Sequence, residues 1–113
     1  MTPREGFIVL CYLLACGDRE LHPKEIEKIE EVLHRYSFTD DEIEGVIEYL
    51  RDIKPKEALE LGAQTMVAVC SLDSEMKKNL LEALQEIAEA DEKIEPEENA
   101  IILSTKSLFE YFK

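Results

Sequence analysis

All four prolines of this chain, Pro3, Pro23, Pro55 and Pro96, stand where a helix can begin. Proline lacks the N–H that a first helical turn cannot use anyway, and its fixed φ suits that turn. Thr2-Pro3-Arg4-Glu5 therefore reads as a capping box, with Thr at the N-cap and Glu at N3. The helix it opens runs through the apolar stretch Phe7 to Ala15 to about Cys16, and Gly17 is a natural stop. Pro23 opens a second helix with Ile26, Ile29, Val32, Leu33 and Tyr36 at helical spacing, and Ser37-Phe38-Thr39 breaks it. Thr39-Asp40-Asp41-Glu42 is a second capping box, followed by Ile43, Val46, Ile47, Leu50 and Ile53 on one face.

Pro55 opens a fourth helix, to about Ser71. Leu59, Leu61, Met66, Val67, Val69 and Leu72 point from it in several directions, so it is expected at the centre of the fold. Ser71 or Asp73 caps a fifth helix carrying Leu80, Leu81, Leu84 and Ile87. Pro96 opens a sixth, with Ile101, Leu103, Leu108, Phe109 and Phe112 as its apolar set. No segment alternates with period two. The expectation is an all-α fold: a compact bundle of about six to seven helices around one buried central helix, as a single domain over residues 1–113.

Charge narrows the function. There are 26 acidic residues against 13 basic ones, a formal net of −13. Nucleic-acid binding needs Lys and Arg to displace phosphate counterions, so no nucleic-acid partner is expected. Docking on anionic membranes is disfavoured for the same reason. The nine-residue apolar run is too short to span a bilayer, and direct membrane insertion is not expected. With no signal-peptide pattern and an odd set of three cysteines (Cys11, Cys16, Cys70), the chain reads as cytoplasmic with reduced thiols that serve as small core residues. His22 and His34 form no constellation with Ser, Cys or Asp at a catalytic spacing, and no glycine-rich phosphate loop occurs.

Two helix junctions echo one another at an offset of 73 residues. Ala15, Asp18, Leu21, Pro23, Glu25 and Ile29 match Ala88, Asp91, Ile94, Pro96, Glu98 and Ile102. Local structure explains much of this, since Glu25 and Glu98 fall at N3 of the helices that Pro23 and Pro96 open, and Asp18 and Asp91 suit Asx turns. The same positions could also converge oxygen ligands on a hard cation, Ca²⁺ or Mg²⁺. A true EF-hand loop is excluded, because its first position would be Leu14 or Ile87 and its glycine position is Arg19 or Glu92.

These junctions resemble the paired A-D-G-x-[IL]-x-x-x-E signatures of the TerB-like domain, which covers tellurite-resistance TerB proteins and the N-terminal domain of a membrane-anchored DnaJ-type co-chaperone. The likeness extends over nearly the whole chain. It implies pseudo-twofold related helical halves and a non-enzymatic role in stress response or tellurite resistance. It also implies metal binding at Asp18, Glu25, Asp91 and Glu98. The signature glycine is replaced by Arg19 in the first copy and Glu92 in the second. Arg19 sets a positive charge beside Asp18, whereas Glu92 adds an acid to the second copy.

Acidity is concentrated there as well. Residues 82–98 hold eight acids and one base, Lys93. Glu82, Glu86 and Glu89 lie at helical spacing and, with Glu92 and Glu95, are the candidate docking surface for a basic protein partner. The alternative is a solvated face with no partner. The functional expectations are thus a divalent-cation module or a metal-free protein-interaction adaptor.

Overall fold

The structure is a computed structural model that describes residues 1–15, 23–89 and 96–111. Six α-helices are described: α1 (Pro3–Ala15), α2 (Pro23–Arg35), α3 (Asp40–Arg51), α4 (Pro55–Val69), α5 (Ser74–Glu89) and α6 (Pro96–Tyr111). No strand occurs among the described residues. Each proline opens a helix, as the sequence predicts. Both capping boxes close: Thr2 Oγ1 accepts from the Glu5 N–H at 3.1 Å, and Thr39 Oγ1 accepts from the Glu42 N–H at 3.2 Å. Of the two cap candidates before α5, Asp73 is the one that acts, its Oδ1 accepting from the Met76 N–H at 2.8 Å.

The central helix is α1, not α4. Phe7, Ile8, Cys11 and Leu14 are wholly buried, Val9 and Leu10 nearly so, and α1 packs against each of the other five helices. The physical reason is charge. From Gly6 to Ala15, α1 carries no ionisable residue other than Cys11 and Tyr12, so every side of it can enter the core. By contrast, α4 carries Lys56, Glu57, Glu60 and Gln64, all exposed. Its inner face is Leu61, Thr65, Ala68 and Val69, whereas Val67 is 72% exposed. Along α6, Ile102, Thr105 and Phe109 point inward and Leu103 is 54% exposed, which reverses the expectation that Leu103 joins the core. Thr65 and Thr105 are buried without harm because their hydroxyls donate to the carbonyls of Leu61 and Ile101, at 2.7 and 2.8 Å.

The α2–α3 corner is held by one arginine. Ser37 lies at φ 70°, with the Ser37 N–H donating to His34 O at 3.1 Å and the Phe38 N–H to Leu33 O at 3.0 Å. This is a Schellman ending with serine where glycine is usual. It drives Phe38 into the core, 4.8 Å from the Phe7 ring centroid. The Arg4 guanidinium lies 4.4 Å from the Phe38 ring centroid, donates to Ser37 O at 3.2 Å, and grips both carboxylate oxygens of Glu42 at 2.9 and 3.0 Å. That grip, with the Thr39 N–H, lowers the Glu42 carboxyl to about 2.

Gly6 lies where α1 packs closely on α4. A Cβ there would lie 3.0 Å from the Ala68 Cβ and 3.2 Å from the Val69 Cγ1. Gly45, on α3, has open space instead. Replacing Gly6 with Ala should therefore destabilise the protein by about 1–2 kcal/mol, overpacking outweighing the gain in helix propensity. Gly45→Ala should stabilise it by roughly 0.5–1 kcal/mol. Urea unfolding of the two variants checks the opposite signs.

Candidate functional site

The two echoing junctions lie between α1 and α2 and between α5 and α6. Their described flanks behave alike: Ala15 and Ala88 end one helix buried, and Ile29 and Ile102 are buried one turn or more into the next. Asp18, Asp91, Glu92, Glu95 and the Glu98 side chain lie outside the described residues, as do Cys16 and His22. Glu25 is described. It sits in the first turn of α2 and is buried, with 7% exposure. A carboxylate drawn inward at a helix start faces the positive end of the helix dipole. Among the described residues no group of three or more His, Cys, Asp or Glu side chains could hold a metal ion.

The helix that follows the first junction packs on the helix that leads into the second. Lys28 on α2 meets Glu86 on α5 at 3.5 Å, and further along α2 the Tyr36 hydroxyl donates to Glu82 at 3.5 Å. Glu86 thus lies between Lys28 and Arg35 of α2, and Glu82 beside the residue that follows that helix. Neither of the two described cysteines lies in a junction. Cys11 is wholly buried in α1, which pushes its thiol well up, and Cys70 is half-buried after α4.

The acidic stripe on α5 divides into different environments. Glu86 accepts from Arg35 Nη1 with both oxygens at 2.8 Å and also meets Lys28, so it ties α5 to α2. Arg35, the largest influence, holds its carboxyl below the usual carboxylate range. Glu82 is exposed and faces the Tyr36 hydroxyl, whose pKa rises through burial first and the charges of Glu82 and Glu86 second. Glu89 is exposed and accepts from Gln85 Nε2 at 2.9 Å. Glu82, Glu86 and Glu89 line a groove with Leu81, Ile102 and Leu103, and Lys106 stands on its α6 side. Sequence spacing placed the three acids in one stripe, but it could not show that Arg35, 51 residues earlier, would claim the middle one. His34 is exposed and pairs with Asp40 Oδ1 at 2.6 Å across the α2–α3 corner.

No helix among the described residues is long and apolar enough to cross a membrane. A family model described as tellurite resistance protein TerB matches residues 4–111, from the arginine of the α2–α3 corner to the last residue of α6. Neither a curated protein nor a solved structure matches the chain.

The Arg35–Glu86 pair yields a signed pH dependence. Glu86 has a lower pKa folded than unfolded, so its contribution is fully present above the ordinary carboxylate range and is lost as pH falls through the folded value. Glu86→Gln should lower the urea midpoint at neutral pH. The gap to the parent protein should narrow as pH falls through the folded value of Glu86. Urea titrations at about pH 7 and about pH 3 test this.

Proposed function

The chain belongs to the TerB family, and from that premise we propose that it is a non-catalytic module of tellurite resistance or stress response, acting in the cytoplasm. Its acidic helix junctions bind a divalent cation, Ca²⁺ or Mg²⁺. The observation that carries this reading is the burial of Glu25 in the first turn of α2. Hard cations take carboxylate oxygens, and a site partly withdrawn from water strengthens their attraction. The seam of α2 and α5 supports it further, because Lys28 and Glu86 tie the helix that follows the first junction to the helix that leads into the second. Glu25, Asp18, Asp91 and Glu98 are the proposed ligands. The helical body is the rigid frame that holds the junction ends at a fixed separation.

A second reading is the metal-free adaptor. It is favoured by the groove in which the exposed acids Glu82 and Glu89 flank Leu81 and the half-exposed Leu103. In that reading Glu92 and Glu95 extend the acidic surface, and Glu86 serves the fold.

Titration with CaCl₂ and with MgCl₂, followed through amide NMR, separates the two. The cation reading predicts saturable shifts at Ala15, Glu25, Ala88 and Glu89, removed by Asp91→Asn combined with Glu98→Gln. A protein whose amides do not move at millimolar cation overturns it and leaves the adaptor.

A further inference from the structure

The seam between α5 and α6 opens outward as two hollows, each lined by both helices. One, of ≈ 560 Å³, has Leu81, Glu82 and Glu89 on the α5 side and Asn99, Ile102 and Leu103 on the α6 side. The other, also ≈ 560 Å³, has Lys77, Lys78 and Leu81 on α5 and Phe109 and Glu110 on α6. Leu81 and Lys106 line both, so the hollows meet in the middle of the seam. The end of α5 shares a hollow with the start of α6, and the start of α5 with the end of α6, so these two helices run antiparallel. Apolar atoms make up most of the lining in each hollow. Leu103 is 54% exposed and Leu81 half-buried. A mostly apolar strip with a charged border is the kind of surface that another molecule covers.

The charges that line this strip select the occupant. Glu82 and Glu89 belong to one end and Lys77 and Lys78 to the other, with Lys106 between them and Glu110 beside the lysines. Glu86 also lines the acidic end, but Arg35 already grips both of its oxygens at 2.8 Å. Lys77 sits over the Phe109 ring, its Nζ 5.5 Å from the centroid. Apart from Glu86, the described acids along the strip are therefore matched by as many lysines, although the chain as a whole carries a net −13. A uniformly basic partner meets the lysines at one end, and an anionic surface meets the glutamates at the other. A second copy turned end for end meets neither. A two-fold axis crossing the seam at right angles, near Leu81 and Leu103, lays α5 antiparallel on its own copy. That sets Lys77 and Lys78 of each copy towards Glu89 of the other, with Leu81 and Leu103 at the centre. An axis along the seam would stack like ends together. The two helices have 16 residues each, so the face is about 24 Å long and roughly 20 Å wide. It can bury about 500 Å² per copy, or about 1,000 Å² in the pair, the small end for a specific complex. The pairing is accordingly weak and reversible.

We infer that the α5–α6 seam is a self-complementary interface on which two copies of this chain pair about a two-fold axis, the lysine end of each on the glutamate end of the other. This rests on the groove of the adaptor reading and names its occupant. The cation reading is independent of it, because none of the proposed ligands takes part.

Sedimentation equilibrium of the full chain, from about 10 μM to about 1 mM, tests it in the range where so small an interface holds. The mass should rise from one copy towards two with concentration, and less steeply as salt is raised. Lys78→Glu and Glu89→Lys, both at exposed positions, should each weaken pairing about tenfold or more by setting like charges together. An equimolar mixture of those two variants should pair again, since each copy then offers the other the opposite charge at both contacts. Leu103→Asp should abolish pairing, and all three variants should keep a thermal midpoint near that of the parent. A dimer that the two charge variants leave intact, or that their mixture does not restore, overturns this interface. A chain that stays monomeric at every concentration overturns the second copy as occupant. Amide shifts at Leu81 and Leu103 on adding a Leu/Lys amphipathic peptide to that monomer would preserve the adaptor reading, and no shifts there would end it as well.

Discussion

Everything in this fold leans on α1 being apolar on all sides. In an acidic chain of 113 residues, a stretch from Gly6 to Ala15 without an acid or a strong base is the one segment that can be surrounded completely. Each large side chain buried there contributes about 1.5–3 kcal/mol, and a helix that buries all its faces collects that gain in several directions at once. The other five helices each need only one apolar face, which they turn to α1. That arrangement sends the acids outward, where repulsion between them is screened. It also explains why α4, although rich in apolar residues, lies at the side. Gly6 lets α4 approach α1, and its exposed charged residues keep the far face in water.

Once the core is arranged this way, individual acids acquire distinct roles. Glu42 fixes the α2–α3 corner through Arg4 and caps α3. Glu86 holds α2 against α5 through Arg35 and Lys28. Glu25 is turned inward at the start of α2. Acids such as Glu48, Glu60, Glu82 and Glu89 remain on the surface and supply the fields that partners or cations would meet. The net charge is thus shared between internal pins and open faces.

Local chemistry was the legible part of this fold. Four prolines, two capping boxes and the Asp73 cap are short-range signals, and the helices begin where they point. The family resemblance was carried by the two junction signatures. What sequence could not rank was which apolar helix is surrounded, because α1 and α4 both show apolar residues in many directions. The absence of charge after Gly6 was the signal that distinguishes them. The inward face of α6 was misjudged because Leu103 and Ile102 are neighbours, and only packing against α5 and α1 decides between them. Glu86 looked like its stripe-mates Glu82 and Glu89, since its partner Arg35 is remote in the chain. The candidate cation ligands were named from sequence, and Glu25 is the one whose burial the structure describes.

Native-state amide hydrogen exchange tests the central role of α1 most directly. If α1 is the helix on which the others are built, the amides of Val9 to Leu14 exchange only through global unfolding. Their protection then equals the stability measured by urea, while the outer face of α4 opens more easily. The account would be contradicted if α4 amides were the most protected and those of α1 exchanged through local opening well below the global free energy.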